Sequence, residues 1–436
     1  MKRKGLSPYH LSMPDLAAPP LSRLVQAQLH RPSPIRQIMK MAERQNILAM
    51  GLRPEDVISF GGGWVNHRAP EGLREAYAEI VNDPETFHQS GAYTATLGDM
   101  ACREALARFE AHLFGVPRIG AEHVAIGAGS TQLTHDLFRT LVDPGDTVML
   151  MDPTYANYEG QLAFAVPGAR IVRLRLMDPD SWTYLPSVAP ERVVADFAQL
   201  FDAHRPRLVV FGAPDNPTSQ ILPDVLVDAM RARTADAGAW LAIDYAYKCQ
   251  YFEPPPAYYS WSPADHPQVI GIHSNSKWGR GLGRRLSWVV ASPGVVDALE
   301  RVQQCSLLCP DTLAQMAMTR YVSRAVADGS LREYVAETNE RYRAAARLTL
   351  DAVDEHLGRR RLDPMGGLYT VVDVGGDADA FVPRALQATG VLVVPGSGFG
   401  PSISTGVRLS YGPLVNAPEK IVEGLRRLGR WMRSVA

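Results

Sequence analysis

The run Leu208-Val209-Val210-Phe211, the helix-length segment Pro223–Ala237 and the run Trp240-Leu241-Ala242-Ile243 decide the fold. Both runs are short and apolar at every position, the pattern of strands buried on two faces rather than one. A helix-length segment between such strands returns the chain across the sheet, so the two strands lie parallel. The alternation extends outward. His123–Ile126, Thr147–Met151 and Arg170–Leu174 come before this unit, and Val269–His273 and Leu286–Ala291 after it, with helix-length segments such as Thr131–Leu141 between most of them. The seven strands predict an α/β fold with a doubly wound, mostly parallel sheet. Ligands of such sheets bind beyond the carboxyl ends of the strands.

After Leu307 the pattern changes. Two long helices, Thr312–Ala327 and Leu331–Leu357, lead to short strands at Leu368–Val374, Val391–Val394 and Val407–Tyr411, and the amphipathic segment Pro418–Val435 closes the chain. This predicts a second, smaller α+β domain. At the other end, residues 1–32 are rich in proline and read as an extended arm. Ser33-Pro34 opens one amphipathic helix through Ile35, Ile38, Met39, Ala42 and Ile47, stopped at Gly51, and Val57–Phe60 is strand-like. The expected division is an arm (1–32), a helix and strand joining the small domain (33–60), a large domain (61–307) and the small domain proper (308–436).

Composition narrows the function. The 436 residues are 46% hydrophobic and 21% charged, with a formal net charge of −1. These are globular proportions, and neither nucleic acid nor an acidic membrane is an expected partner. No apolar run reaches the ~18 residues of a membrane span, and the prolines after Lys2-Arg3-Lys4 break any signal-peptide core, so a cytoplasmic protein is expected. The four cysteines form no disulfide framework or metal spacing. Only six of the 45 basic residues are lysines, so a function needing an amine has few candidates.

One of them, Lys277, follows the strand Val269–His273 in Ser274-Asn275-Ser276-Lys277. A lysine desolvated at the mouth of a parallel sheet has a lowered pKa, and its neutral amine forms Schiff bases with carbonyls; the alternative is a solvated lysine at a strand end. Ser274, Ser276 and an arginine would suit a phosphate, and Arg280, Arg284 and Arg285 all stand near. Asp244 ends the strand before it, with Tyr247 three residues on. That acid is either a helix cap or the partner of a protonated ring nitrogen. Asn216-Pro217-Thr218 is either a plain turn or an amide donor for a ligand oxygen. Gly127-Ala128-Gly129-Ser130-Thr131 joins a strand to a helix whose amino end favours an anion, but its spacing is neither a dinucleotide fingerprint nor a Walker loop. Tyr155, after Pro153-Thr154, either packs in the core or stacks on a flat ring. Arg408, inside an apolar strand, wants a protein carboxylate or a ligand anion. Together these parts have one consistent use, holding pyridoxal 5′-phosphate.

The order Gly129-Ser130-Thr131, Pro153-Thr154-Tyr155, Asn216-Pro217-Thr218, Asp244 with Tyr247, Ser274-x-Ser276-Lys277, Arg285 and Arg408 resembles the class I/II aminotransferases, pyridoxal-phosphate enzymes of fold type I. The resemblance covers the chain from about Ser33 to its end. It implies Lys277 as Schiff-base lysine and general base, Asp244 on the pyridine nitrogen, Asn216 and Tyr247 on the ring oxygen and Tyr155 on the ring face. It implies a phosphate held by Gly129, Ser130, Thr131, Ser274, Ser276 and Arg285, and a substrate carboxylate held by Arg408. It further implies a homodimer, with Tyr93 reaching the phosphate of the neighbouring subunit. Two departures stand out: Ser219 where the family has glycine after Asn-Pro-Thr, and Gly63-Trp64-Val65-Asn66-His67-Arg68 at the substrate mouth. The second leaves a lyase, replacement, cyclisation or oxidase-type reaction at Cβ or Cγ as the alternative to transamination of an L-α-amino acid.

Overall fold

Seven strands form the central sheet: β1 (Val124–Gly127), β2 (Thr147–Asp152), β3 (Arg170–Arg175), β4 (Leu208–Gly212), β5 (Trp240–Tyr245), β6 (Val269–Ser274) and β7 (Ser287–Val290). The computed structural model describes residues 21–29 and 34–435. The sheet order is β1-β7-β6-β5-β4-β2-β3. All neighbours are parallel except β7, which runs antiparallel to both β1 and β6. β2, β4 and β6 are buried at every residue, as apolar throughout implies, whereas the edge strand β3 carries Arg170, Arg173 and Arg175 and is partly exposed.

The reversal of β7 positions the site. Ser287, its first residue, lies opposite Gly127 and Ser274, the last residues of β1 and β6. Arg285, just before Ser287, therefore arrives at the same edge as the carboxyl ends of the parallel strands. The apolar pattern marks a strand but carries no direction, so this could not be read from Leu286–Ala291.

The C-terminal sheet is antiparallel: β8 (Tyr369–Asp373), β9 (Val394–Pro395) and β10 (Gly406–Ser410), with β10 in the middle. The expected strand Val391–Val394 is split in two. Val391–Leu392 pairs instead with Ile58–Ser59, so the N-terminal strand joins this part of the molecule. The helix Pro418–Val435 packs on it closely; a Cβ at Gly424 would stand 2.6 Å from the Phe60 ring.

The single N-terminal helix expected from Ser33 to Gly51 is two helices, Pro34–Met41 and Arg44–Ala49. Glu43 is extended between them, and the Asn46 side chain donates to the Lys40 carbonyl at 2.7 Å, closing the first helix where its hydrophobic spacing would have continued. Of the expected arm, Arg23–Leu29 is helical rather than extended; residues 1–20 and 30–33 lie outside the described residues.

Candidate active site

The carboxyl ends of the strands surround a cavity of about 240 Å³. β1 delivers Ser130 and Thr131, β2 Tyr155, β4 Asn216, β5 Asp244 and Tyr247, and β6 Ser276 and Lys277; Arg285 enters before β7 and Arg408 from β10. Residues from Ile35 to Arg408, up to 373 positions apart in sequence, thus line one space at the strand ends.

Lys277 hydrogen-bonds the Gly63 carbonyl, and its Nζ lies 5.3 Å from the centre of the Tyr247 ring. Burial lowers its amine to about 8; Arg408 and Arg285 push the same way and Asp244 opposes them. Asp244 accepts from Tyr158 Oη at 2.8 Å and from Ala246 N at 2.9 Å. Burial still raises its carboxyl above the ordinary value, so a cation brought to it from the cavity would be strongly favoured.

Arg408 is 1% exposed in a strand buried at every residue. Its guanidinium lies 4.4 Å from the Tyr369 ring and 5.0 Å from Phe399. It donates to Asn216 Oδ1 and to the Gly61 carbonyl, both at 2.8 Å. No protein carboxylate pairs with it among the described residues, which leaves the ligand anion of the two sequence readings. Because Asn216 Oδ1 accepts from Arg408, the Asn216 amide nitrogen is the end free to donate into the cavity.

The anion cradle is built around Gly129. Its φ is 98°, and a Cβ there would fall 1.9 Å from Arg285 Nη2. Only glycine lets that guanidinium lie across the amino end of the helix Ser130–Leu141. Arg285 is thereby distinguished from its neighbours. Arg280 donates to Asn66 Oδ1 and His67 O, while Arg284 donates to the Arg280 carbonyl and lies over Tyr77, and neither lines the cavity.

Three expected site residues are placed differently. The Ser274 hydroxyl is turned inward, donating to Ser276 Oγ at 2.8 Å and accepting from Ser287 Oγ at 2.7 Å, so it supports Ser276 instead of lining the cavity. Trp64 lies over Gly62, is 38% exposed and stands outside the lining; only Gly63 of that segment reaches in. Tyr93 is 83% exposed and away from the cavity of its own chain. Of the rest of the mouth segment, His67 and Asn66 are tied into the fold. His67 is buried, with Nε2 donating to the Trp278 carbonyl and Nδ1 accepting from Tyr342 Oη, and burial lowers its pKa to about 4. Asn66 donates to Pro413 O at 3.2 Å.

Sequence reading missed Tyr158, Tyr369 and Asp215. Tyr369 Oη is 2.5 Å from Tyr247 Oη and the Asp215 carboxyl is buried in the cavity wall. Tyr158 alone left a signal, one helical turn after Tyr155.

The family pattern described as "Aminotransferase class I and II" matches residues 55–425. The chain is a class I/II aminotransferase. Arginine–pyruvate transaminase of Pseudomonas aeruginosa is 27% identical to it over 340 residues, covering 77% of this chain and 81% of that one. Aspartate/prephenate aminotransferase of Thermus thermophilus is 26% identical, covering 88% and 94%. The solved aspartate aminotransferase of Thermus thermophilus with maleate superposes with a TM-score of 0.79 at 25% identity, covering 95% of this chain and all of that one. With the family pattern, its aminotransferase relatives and its aspartate aminotransferase neighbour all pointing one way, the alternative chemistry at Cβ or Cγ is not favoured.

The cofactor of this aminotransferase is pyridoxal 5′-phosphate, and its residues fit that group. The cradle at Gly129 and Arg285 suits a phosphate. The Asp244 carboxyl, raised by burial, suits a protonated ring nitrogen, and the Lys277 amine suits an aldehyde. No helix among the described residues is long and apolar enough to cross a membrane.

Proposed function

We propose that this aminotransferase carries the amino group of an L-α-amino acid to a 2-oxo acid at the strand ends, with Lys277 as its covalent and proton-transferring residue. The observation that carries the reading is Lys277 itself, an amine held near neutrality in a cavity it shares with one buried acid and two arginines. Pyridoxal 5′-phosphate, when bound, supplies an aldehyde for the amine and a ring that withdraws electrons from Cα.

The chain does the rest. Ser130, Thr131, Ser276 and Arg285 hold the phosphate, with Ser274 orienting Ser276. Asp244, itself oriented by Tyr158, keeps the ring nitrogen protonated. The Asn216 amide and the Tyr247 hydroxyl donate to the ring oxygen, and Tyr155 packs on the ring face. Arg408 takes the substrate α-carboxylate, exchanging its contacts to Asn216 and Gly61 for a bidentate pair. Lys277 Nζ, its pKa lowered to about 8 by burial, would accept the α-proton and return it at the neighbouring carbon. Excluding water keeps these charges strong.

The same reading divides the chain into a large domain (61–307) and a small one (308–436, with 33–60), supported by the pairing of Ile58–Ser59 with Val391–Leu392. It takes the active form as a homodimer, to which Tyr93, exposed on one subunit, would contribute across the two-fold axis.

The test mixes the holoenzyme with a panel of L-amino acids and 2-oxoglutarate. The expected result is glutamate formed in step with acceptor consumed, and no turnover by Lys277→Ala. Product formed without acceptor consumption would overturn transamination.

A further inference from the structure

Ser219 is fully buried and has a φ of 54°, in the left-handed region that favours glycine. The turn imposes that conformation. Ser219 N donates to Asp215 O at 2.8 Å, and Asp215 N donates to Gln220 O at 2.9 Å, closing a tight loop after β4. Glycine would meet this demand with less strain, so the hydroxyl must have its own use.

Its use is on the page. Ser219 Oγ accepts the main-chain N–H of Tyr369 at 3.0 Å, and Ser219 O accepts that of Met365 at 2.9 Å. One residue therefore holds the chain at both ends of the approach to β8. The opposing backbone makes room for the hydroxyl: Gly367 has a φ of 62°, and a Cβ there would lie 2.7 Å from Ser219 Oγ. From the clamped Tyr369 the side chain enters the cavity. Its hydroxyl meets Tyr247 at 2.5 Å, and its ring lies 4.4 Å from the Arg408 guanidinium.

We propose that Ser219 is a positioning residue, whose hydroxyl fixes Tyr369 and through it the Arg408 guanidinium that receives the substrate α-carboxylate. The inference rests on the transaminase reading of the cavity. It implies that Ser219 acts on substrate affinity more than on the chemical step, since it touches neither Lys277 nor the cofactor-facing side of Asp244.

Two variants separate positioning from folding. Ser219→Gly removes the hydroxyl and relieves the left-handed strain; Ser219→Ala removes the hydroxyl and keeps the strain. The wild type is assayed with the proteinogenic L-amino acids, beginning with L-alanine, L-arginine, L-phenylalanine and L-aspartate, and the best donor is carried forward with its α-methyl analogue, which has no α-hydrogen to lose. Both variants are expected to raise KM for the donor and Kd for the analogue by roughly fivefold, the worth of one lost hydrogen bond, with kcat within about twofold. Thermal midpoints are expected to differ, Ser219→Ala falling clearly below Ser219→Gly. If Ser219→Gly keeps the wild-type KM and Kd, or if kcat falls while both stay fixed, the positioning role is overturned. If the wild type transaminates none of the proteinogenic L-amino acids, the transaminase reading fails first and this inference with it.

Discussion

Asp215 shows what a single buried acid does to stability. Burial raises its carboxyl from 3.8 to about 7, against hydrogen bonds from Thr218 and Thr154. The folded chain thus binds a proton that the unfolded chain has released. Stability contributed by the neutral form is present at low pH and declines as pH rises from about 4 to about 7, to at most about 4 kcal/mol of cost. Asp215→Asn is therefore expected to raise the thermal midpoint of the cofactor-free chain at pH 8 and to change it little at pH 5. Equal shifts at the two pH values would contradict this. Gly129→Ala is the opposite case. Its Cβ would meet Arg285 and adopt a φ of 98°, so the variant is expected to lose about 1–2 kcal/mol in urea unfolding and to release the cofactor on gel filtration. A variant that keeps the cofactor as tightly as wild type would show that the cradle lies elsewhere. The sequence made Gly129 and Lys277 legible because their chemistry is rare in their setting. Asp215 was not, since an acid before Asn-Pro reads as a turn residue and nothing local says that the turn is buried.

Elements were legible where a period or an unbroken apolar run was enough. The helices Thr312–Ala327 and Pro418–Val435 fall on their expected bounds, and the seven central strands fall within one or two residues of theirs. What pattern does not encode is direction and partner. β7 reads like its neighbours yet runs against them, and Val391–Val394 reads as one strand yet serves two sheets. The buried triad beside β6 is a further feature visible only once elements pack. Glu110, on the helix Met100–Phe114, lies 2.9 Å from Lys248 Nζ and 2.8 Å from His273 Nδ1, while Lys248 also sits 4.2 Å above the Phe114 ring. His273 and Lys248 hold the Glu110 carboxyl down near 2 in spite of its burial. Glu110→Gln leaves a buried ammonium without its counter-charge, and a loss of about 3–5 kcal/mol in chemical denaturation is expected. A loss below about 1 kcal/mol would mean that the triad is not holding helix and sheet together.

At the scale of the molecule, one sheet edge gathers residues scattered from Gly63 to Arg408 because parallel strands end together and the antiparallel β7 begins there. The second sheet closes the cavity with Tyr369 and Arg408, so substrate recognition depends on how the two sheets are joined as much as on either. The chemistry, however, depends on one amine out of six. The direct test is to load the purified chain with pyridoxal 5′-phosphate, reduce with borohydride, digest, and locate the pyridoxyl group by mass spectrometry. The account expects a single modified peptide with the adduct on Lys277, and none after Lys277→Ala in a chain that still folds. An adduct on Lys248 or another lysine, or no adduct at all, would contradict it.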